Sequence, residues 1–132
     1  MSTERTVLVV VKDLFFQTRL AGGLTHLGFQ PRFVEAVTDL PAVAEVADLA
    51  IVDLAARQID PIAAIGAIRG YRPDLPLLAF GSHLNLDLRQ RALDAGATRV
   101  VANSAIATDL VGVVGRLLSP SAGGGAPDEE RV

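Results

Sequence analysis

Residues 47–53, ADLAIVD, are the stretch of sequence that decides the fold. Its apolar residues do not alternate with polar ones, which predicts a strand buried on both faces, as in the middle of a parallel sheet. The stretch ends on a carboxylate, Asp53. Because ligands meet an open parallel sheet at the carboxyl ends of its strands, we expect Asp53 at the mouth of a crevice.

Four further stretches have strand character. Residues 6–11, TVLVVV, are β-branched or apolar throughout and predict a second buried strand. Residues 30–36 predict a short strand, and Pro31 near its start favours an edge, where a missing N–H costs little. Residues 75–80 and 98–102 predict the fourth and fifth strands.

Helical patterns occupy the intervals between these strands. Phe16, Leu20 and Leu24 recur at helical spacing in the first interval. Gly22 and Gly23 lie inside that helix and each costs roughly 1 kcal/mol relative to Ala, so either a neighbour packs very close or the helix is locally weak. Four more helices are predicted over residues 38–46, from Asp60-Pro61 to Gly70, along residues 84–95, and from Asn103-Ser104 through Leu118.

The alternation of five strands with five helices predicts the fold class. We expect a single α/β domain with a doubly wound, five-stranded parallel sheet in the flavodoxin-like order 2-1-3-4-5. Residues 119–132 are rich in Ser, Pro, Gly and acidic residues and predict a flexible polar tail. The folded domain is therefore expected over residues 1–118.

The composition excludes several classes of function. The 132 residues suggest one domain. No apolar run approaches the ~18 residues of a membrane span, and no signal-peptide pattern is present, so we expect a cytoplasmic protein without membrane contact. The absence of cysteine excludes disulfides and thiolate metal sites. With a net charge of −3, the chain lacks the excess of basic residues that is typical of a nucleic-acid-binding protein.

The chain resembles the receiver domain of bacterial response regulators, a CheY-like family, over nearly its whole predicted domain. The resemblance runs without gaps from about Thr6 to Leu118, and it implies a non-enzymatic role in signal transduction, as part of a two-component system. Five local matches in order and in register carry it: Leu27-Gly28-Phe29, residues 48–54 (DLAIVDL), Asp60, residues 75–78 (LPLL) and residues 92–97 (ALDAGA).

The resemblance also implies which residues stand at the family's phosphorylation site. In the family, an Asp ending strand 3 accepts a phosphoryl group and two acidic residues ending strand 1 help to hold Mg²⁺. A Thr or Ser ending strand 4 and a Lys ending strand 5 bind the phosphoryl oxygens. Asp53 matches the acceptor. The other four positions depart from the pattern, being occupied in chain order by Val11, Lys12, Gly81 and Asn103.

These departures predict a degenerate receiver, or pseudo-receiver. A hard cation requires several oxygen ligands, and only Asp13 remains to assist Asp53, although Asp13 is also placed to cap the first helix. We therefore expect no bound metal or cofactor and no appreciable phosphorylation. Lys12 is the only lysine in the chain. We expect its ammonium to replace the metal by pairing with Asp53 within about 4 Å.

Three classes of function remain open on these grounds. The first is a phosphorylation-independent interaction module whose signalling partner is a separate chain. The second is a working but atypical response regulator, phosphorylated on Asp53. The third is a small α/β enzyme or nucleotide-binding protein, which no phosphate loop or catalytic constellation favours. Ser82, beside the hydroxyl position, is interpreted as a cap and His83 as a loop residue.

A second apolar stripe on the last helix predicts an interface. One stripe, from Ile106 to Leu117, is enough to cover the sheet, and the second is offset around the helix. Exposed apolar residues rimmed by charge indicate a contact surface, so we expect a homodimer or partner contact through helices 4 and 5. The alternative is that wide packing, or the tail, covers this stripe. The expected interface comprises Leu86, Arg89, Leu93, Val111, Val114 and Leu118.

Overall fold

The computed structural model describes residues 5–82 and 86–118. Its strands are β1 (Arg5–Val10), β2 (Phe29–Phe33), β3 (Leu49–Asp53), β4 (Leu77–Gly81) and β5 (Arg99–Ala102). They form one parallel sheet in the order β2-β1-β3-β4-β5. The predicted fold class and strand order are confirmed, including the edge position of the strand that contains Pro31.

The helices are α1 (Leu14–His26), α2 (Leu40–Val46), α3 (Pro61–Tyr71), α4 (Leu86–Ala95) and α5 (Asn103–Leu118). A 3₁₀ turn, Val37–Asp39, precedes α2. Asp13 and Asp60 cap α1 and α3 through hydrogen bonds from first-turn backbone N–H groups. In the part of the chain that the structure describes, no helix has both the length and the apolar character needed to cross a bilayer.

The start of β4 differs from the prediction by two residues. The N–H of Leu75 donates to the carbonyl of Arg72, so Leu75 still belongs to the turn after α3. Pro76 has no N–H to donate to a neighbouring strand. Regular pairing therefore begins at Leu77, which lies opposite Ala50.

Two apolar clusters lie on opposite faces of the sheet. On one face, α2, α3 and α4 pack through residues such as Ile65 and Ala92. On the other face, α1 and α5 pack through residues such as Leu24 and Leu110. Every residue of β3 is buried, because the strand is covered on both faces and flanked by β1 and β4. This burial confirms the interpretation of the stretch that ends at Asp53.

The contact between α1 and α5 explains one of the two adjacent glycines of α1. Leu110 packs so close to Gly23 that a Cβ atom at position 23 would overlap the Leu110 side chain. Gly22, in contrast, faces open space. In α5, Asp109 has non-helical torsion angles, φ −149° and ψ 47°. Its carboxylate accepts a hydrogen bond from the N–H of Gly112 at 3.2 Å and so caps the second half of α5.

The predicted apolar surface over helices 4 and 5 needs correction. Val114 was expected to be exposed but is 1% exposed, and Leu93 and Leu118 are partly buried against the two clusters. Wide packing of α5 covers most of the second stripe. Leu86 and Val111 remain 80% and 52% exposed, and their helices lie on the two faces of the sheet at its edge strand β5, so a contact through helices 4 and 5 stays a prediction. Arg89 is half-buried.

Candidate functional site

Asp53 occupies the carboxyl end of the central strand. It is 4% exposed, and within residues 5–82 and 86–118 it is the one charged or polar residue that is buried. Its strand is paired with β1 on one side and with β4 on the other, and Asp53 itself lies opposite Phe80. The carboxyl ends of these parallel strands lie at the same edge of the sheet, where the crevice was predicted from the sequence.

Burial dominates the electrostatics of Asp53. Removal of the carboxylate from water raises the pKa of Asp53, and a hydrogen bond from the N–H of Ala55 to Oδ1, 2.9 Å long, opposes that effect. The negative charge of Asp13 raises this pKa further, while the backbone N–H of Lys12 lowers it. The net pKa of Asp53 is raised, so its charge is poorly compensated.

The expected ion pair between Lys12 and Asp53 is not formed, and that prediction is wrong. The Lys12 side chain is exposed, and among the described residues no ion pair within 4.0 Å joins it to Asp53. The physical reason is desolvation. To reach a carboxylate that is 4% exposed, the ammonium would have to leave water, and that penalty offsets much of the attraction.

The other positions of the family pattern also lack charge. Val11 is 2% exposed and belongs to the apolar cluster that packs α1 and α5. Gly81 is buried at the end of β4, and Ser82 beside it is exposed. Asn103 begins α5, and its Oδ1 atom is buried with no hydrogen-bond partner among the described residues. None of these four side chains carries a charge that could neutralise Asp53 or a phosphoryl group on it.

Asp13 is used as the sequence indicated, as a helix cap. Its Oδ1 atom accepts hydrogen bonds from the N–H groups of Phe15 at 2.8 Å and Phe16 at 3.3 Å. Within the described ranges, no group of three or more His, Asp or Glu side chains is placed to hold a metal ion. A magnesium site built on Asp53 would therefore depend on a carboxylate already engaged in capping.

A shallow cavity of about 280 Å³ opens beside Asp53. The cavity carries two cations and two carboxylates, so it lacks the net positive charge that favours a phosphoryl group. Its lining residues are Lys12, Asp13, Asp53, Ala55 and Arg57. His83, the other candidate near this crevice, lies outside the described residues.

Sequence reasoning missed Arg57, which lines the cavity beside Asp53, and Gln17, which lines a separate cavity that also includes Lys12. Gln17 lies four positions after the capping Asp13, and its side-chain amide donates to the carbonyl of Val11 at 2.9 Å. This contact fixes the turn between β1 and α1. No sequence pattern points to Gln17, which lies one residue beyond the position of a capping box, and Arg57 lies in an irregular loop with no periodic pattern.

Comparison with known proteins shows which solved structures share this architecture. No protein-family model and no curated protein matches the chain. Solved structures do match. NtrX from Brucella abortus aligns with a TM-score of 0.75 and 25% identity, covering 91% of this chain and 28% of NtrX. The receiver domain of NtrX alone aligns with a TM-score of 0.73 and 24% identity, covering 86% of this chain and 98% of that domain.

The chain has the fold of a response-regulator receiver domain. A response regulator from Burkholderia pseudomallei, solved with a phosphorylated aspartic acid, a calcium ion and citrate, also matches this receiver fold. It aligns with a TM-score of 0.71 and 20% identity over 89% of this chain and 71% of that one. The present chain spans about 28% of NtrX, so the activity and partners of that whole protein are not carried over.

The raised pKa of Asp53 predicts that Asp53→Asn stabilises this domain at neutral pH, by about 0.5–2 kcal/mol. Asparagine keeps an oxygen for the N–H of Ala55 and removes the buried charge. Since the folded state binds the Asp53 proton more tightly than the unfolded state, the wild-type protein loses stability as pH rises from the ordinary value of 3.8 through the raised pKa. The gain from Asp53→Asn should therefore grow over that window and then level off.

Urea unfolding of both proteins at a series of pH values measures this difference. Asp39→Asn is the matched control, because Asp39 is exposed and its side chain makes no capping hydrogen bond. The control should change the free energy of unfolding by less than about 0.5 kcal/mol at every pH. A wild-type protein more stable than Asp53→Asn at neutral pH would show that the Asp53 charge has a compensating partner.

Proposed function

We propose that this receiver domain is a pseudo-receiver, a protein-interaction module of signal transduction that works without phosphorylation. One observation carries the proposal: the acceptor Asp53 is 4% exposed, and the positions that should supply its metal ligands and its lysine hold Val11, Lys12 and Asn103. The exposed Lys12 side chain forms no ion pair with Asp53 among the described residues.

The chemistry of phosphoryl transfer supports this proposal. Catalysis of that reaction is mostly positioning and neutralisation of charge by metal ions and cations. A phosphoryl group on Asp53 would carry about two negative charges where the carboxylate carries one, so the site would gain about one negative charge. Those charges would lie near the Asp13 carboxylate, which already raises the pKa of Asp53. The metal ligands and the lysine at the end of strand 5 are missing, and the two cations of the cavity, Lys12 and Arg57, are balanced by two carboxylates.

A module of this kind acts through the surfaces that its fold presents. We infer that its partner is a signalling protein on a separate chain, and that binding is set by the concentrations of the two proteins. Partner affinity should accordingly be the same for wild type and for Asp53→Asn. A titration of the two proteins against one partner, once a partner is in hand, compares the two dissociation constants.

The direct test is incubation of the full chain with acetyl phosphate and Mg²⁺, followed by intact mass measurement. We expect no gain of a phosphoryl group under conditions that fully modify a receiver domain with an intact acidic pair, which serves as the positive control. A gain in mass by the wild-type chain that Asp53→Asn abolishes would overturn the proposal.

One observation favours a second candidate, a working but atypical receiver. Asp13 is close enough to Asp53 to raise its pKa, so two carboxylates do approach one another at the crevice. The matching Burkholderia pseudomallei structure shows a phosphorylated aspartic acid together with a calcium ion in this fold. The same mass measurement decides between the two candidates. A thermal-shift screen with nucleotides addresses the third, a nucleotide-binding protein.

A further inference from the structure

A concave surface, here called the end groove, lies at the opposite end of the sheet from Asp53. It is a cavity of about 510 Å³ between the last turns of α1 and α5 and the first residues of β1 and β2. Most of its lining is apolar and includes Leu27, Phe29, Val111 and Leu118. Val111 is 52% exposed, so part of this apolar wall faces water.

One charged residue, Arg5, lines the end groove. Its guanidinium lies 5.5 Å from the centroid of the Phe29 ring, in a cation–π contact. Among the described residues, no ion pair within 4.0 Å includes Arg5. The carboxylate of Asp48 accepts a hydrogen bond from the N–H of Thr6 at 2.9 Å instead. The groove therefore combines an apolar wall with a positive charge that no described carboxylate neutralises.

The sequence that follows Leu118 is complementary to this groove. Residues 119–132, SPSAGGGAPDEERV, lie outside the described residues, and they start at the groove because Leu118 is part of its lining. Nine residues, three of them consecutive glycines, separate Leu118 from the acidic run DEE at 128–130. A Gly-rich linker of that length has a root-mean-square span of about 17 Å, which lets the acidic run return to the groove.

We propose that residues 126–132 dock in the end groove of their own chain, with the acidic run beside the Arg5 guanidinium and Ala126 and Pro127 against the apolar wall. The linker makes this contact intramolecular, with an effective concentration in the millimolar range. A segment whose separate dissociation constant is about 1 mM is then docked about half of the time. A second copy of the chain lacks this advantage. The inference does not depend on the state of Asp53.

The docked segment competes with contacts that other chains make through α5. Val111, Val114 and Leu118, three of the six residues of the expected interface over helices 4 and 5, line the end groove. A partner that binds there has to displace the segment first. Because the attraction to Arg5 is between exposed charges, salt should favour the displaced state.

Paramagnetic relaxation in NMR spectra of the full chain tests the proposal. The chain has no cysteine, so Val132→Cys provides a single site for a nitroxide label. Amide signals of Gly28, Val111 and Gly115 should lose at least about twofold more intensity than in a labelled chain with a neutral run, because docking holds the label near them. The neutral run is made by Asp128→Asn, Glu129→Gln and Glu130→Gln, which keep the length of the segment.

Further variants test whether the end groove is the docking place. Arg5→Glu should reduce the signal loss to the level of the neutral run, and adding Asp128→Lys, Glu129→Lys and Glu130→Lys to Arg5→Glu should restore it. Gly115 is exposed and a Cβ atom there would meet nothing within 4 Å, so Gly115→Phe places a ring in the groove and should also displace the segment. Gly66→Phe, at an exposed and open position of α3, is the matched control and should change nothing.

Three results would overturn the proposal. The first is an equal signal loss in the labelled chains with the acidic and the neutral run. The second is a signal loss that Arg5→Glu leaves unchanged. The third comes from an equimolar mixture of isotope-labelled chain without nitroxide and unlabelled chain with nitroxide. A signal loss in that mixture equal to the loss within one chain would show that the occupant of the groove belongs to a second copy.

Discussion

A chain carrying Val11→Asp, Lys12→Asp, Gly81→Thr and Asn103→Lys is expected to become phosphorylated on Asp53 by acetyl phosphate and Mg²⁺. The two new carboxylates supply oxygen ligands for the metal, and the new ammonium neutralises charge on the transferred group. A single positioned charge-stabilising group is typically worth at least about a hundredfold in rate. The modified fraction should rise from undetectable in wild type to a readily measured value by intact mass.

The matched control carries the same four changes together with Asp53→Asn and should gain no mass. Val11 is 2% exposed, so a carboxylate there costs stability, and circular dichroism must show that both chains are folded. A second variant that retains Val11 spares the core and should be modified to an intermediate degree. Folded variants that all remain unmodified would show that burial of Asp53 itself, rather than the missing groups, prevents the reaction.

Most of the fold was predictable because a buried parallel sheet constrains composition strongly. A strand covered on both faces needs uninterrupted apolar residues, and residues 6–11 and 49–52 have them. Helix starts were visible because Asp13 and Asp60 are good capping residues at the right positions. The start of β4 was not predictable, because it depends on where the turn after α3 ends. The N–H of Leu75 still donates to the carbonyl of Arg72 in that turn.

The site was only partly predictable, because residue order gives position but not side-chain burial. The position of Asp53 was predicted from the end of the central strand. The groups absent from the family pattern were identified from the resemblance. The charge pair with Lys12 failed because Asp53 is buried while the lysine side chain stays in water. The exposure expected for Val114 failed because α5 packs widely against the sheet and α1, a width that helical periodicity alone does not give.

Arg69 has a structural role that the sequence did not indicate, apart from its position in the last turn of α3. The guanidinium of Arg69 donates to the carbonyl of Gly96 at 2.6 Å and 3.1 Å, and to three carbonyls of the turn that precedes β4. Those three acceptors are Arg72 at 3.0 Å, Pro73 at 2.9 Å and Leu75 at 2.8 Å. One side chain thus joins the end of α3, the start of β4 and the turn between α4 and β5. Gly96 has a positive φ of +127°, and a Cβ atom there would also come within 2.9 Å of the Arg69 side chain.

Arg69→Met is expected to lower the free energy of unfolding by about 2–4 kcal/mol, because partly buried carbonyls lose a charged donor that water replaces only in part. Arg69→Lys should lie in between, since an ammonium keeps the charge but cannot donate along a planar fork. Arg91→Met, at an exposed position on α4, is the matched control and should change stability by less than about 0.5 kcal/mol. Urea unfolding at neutral pH measures all three variants. Equal midpoints for Arg69→Met and Arg91→Met would mean that water satisfies the carbonyls as well as the guanidinium does.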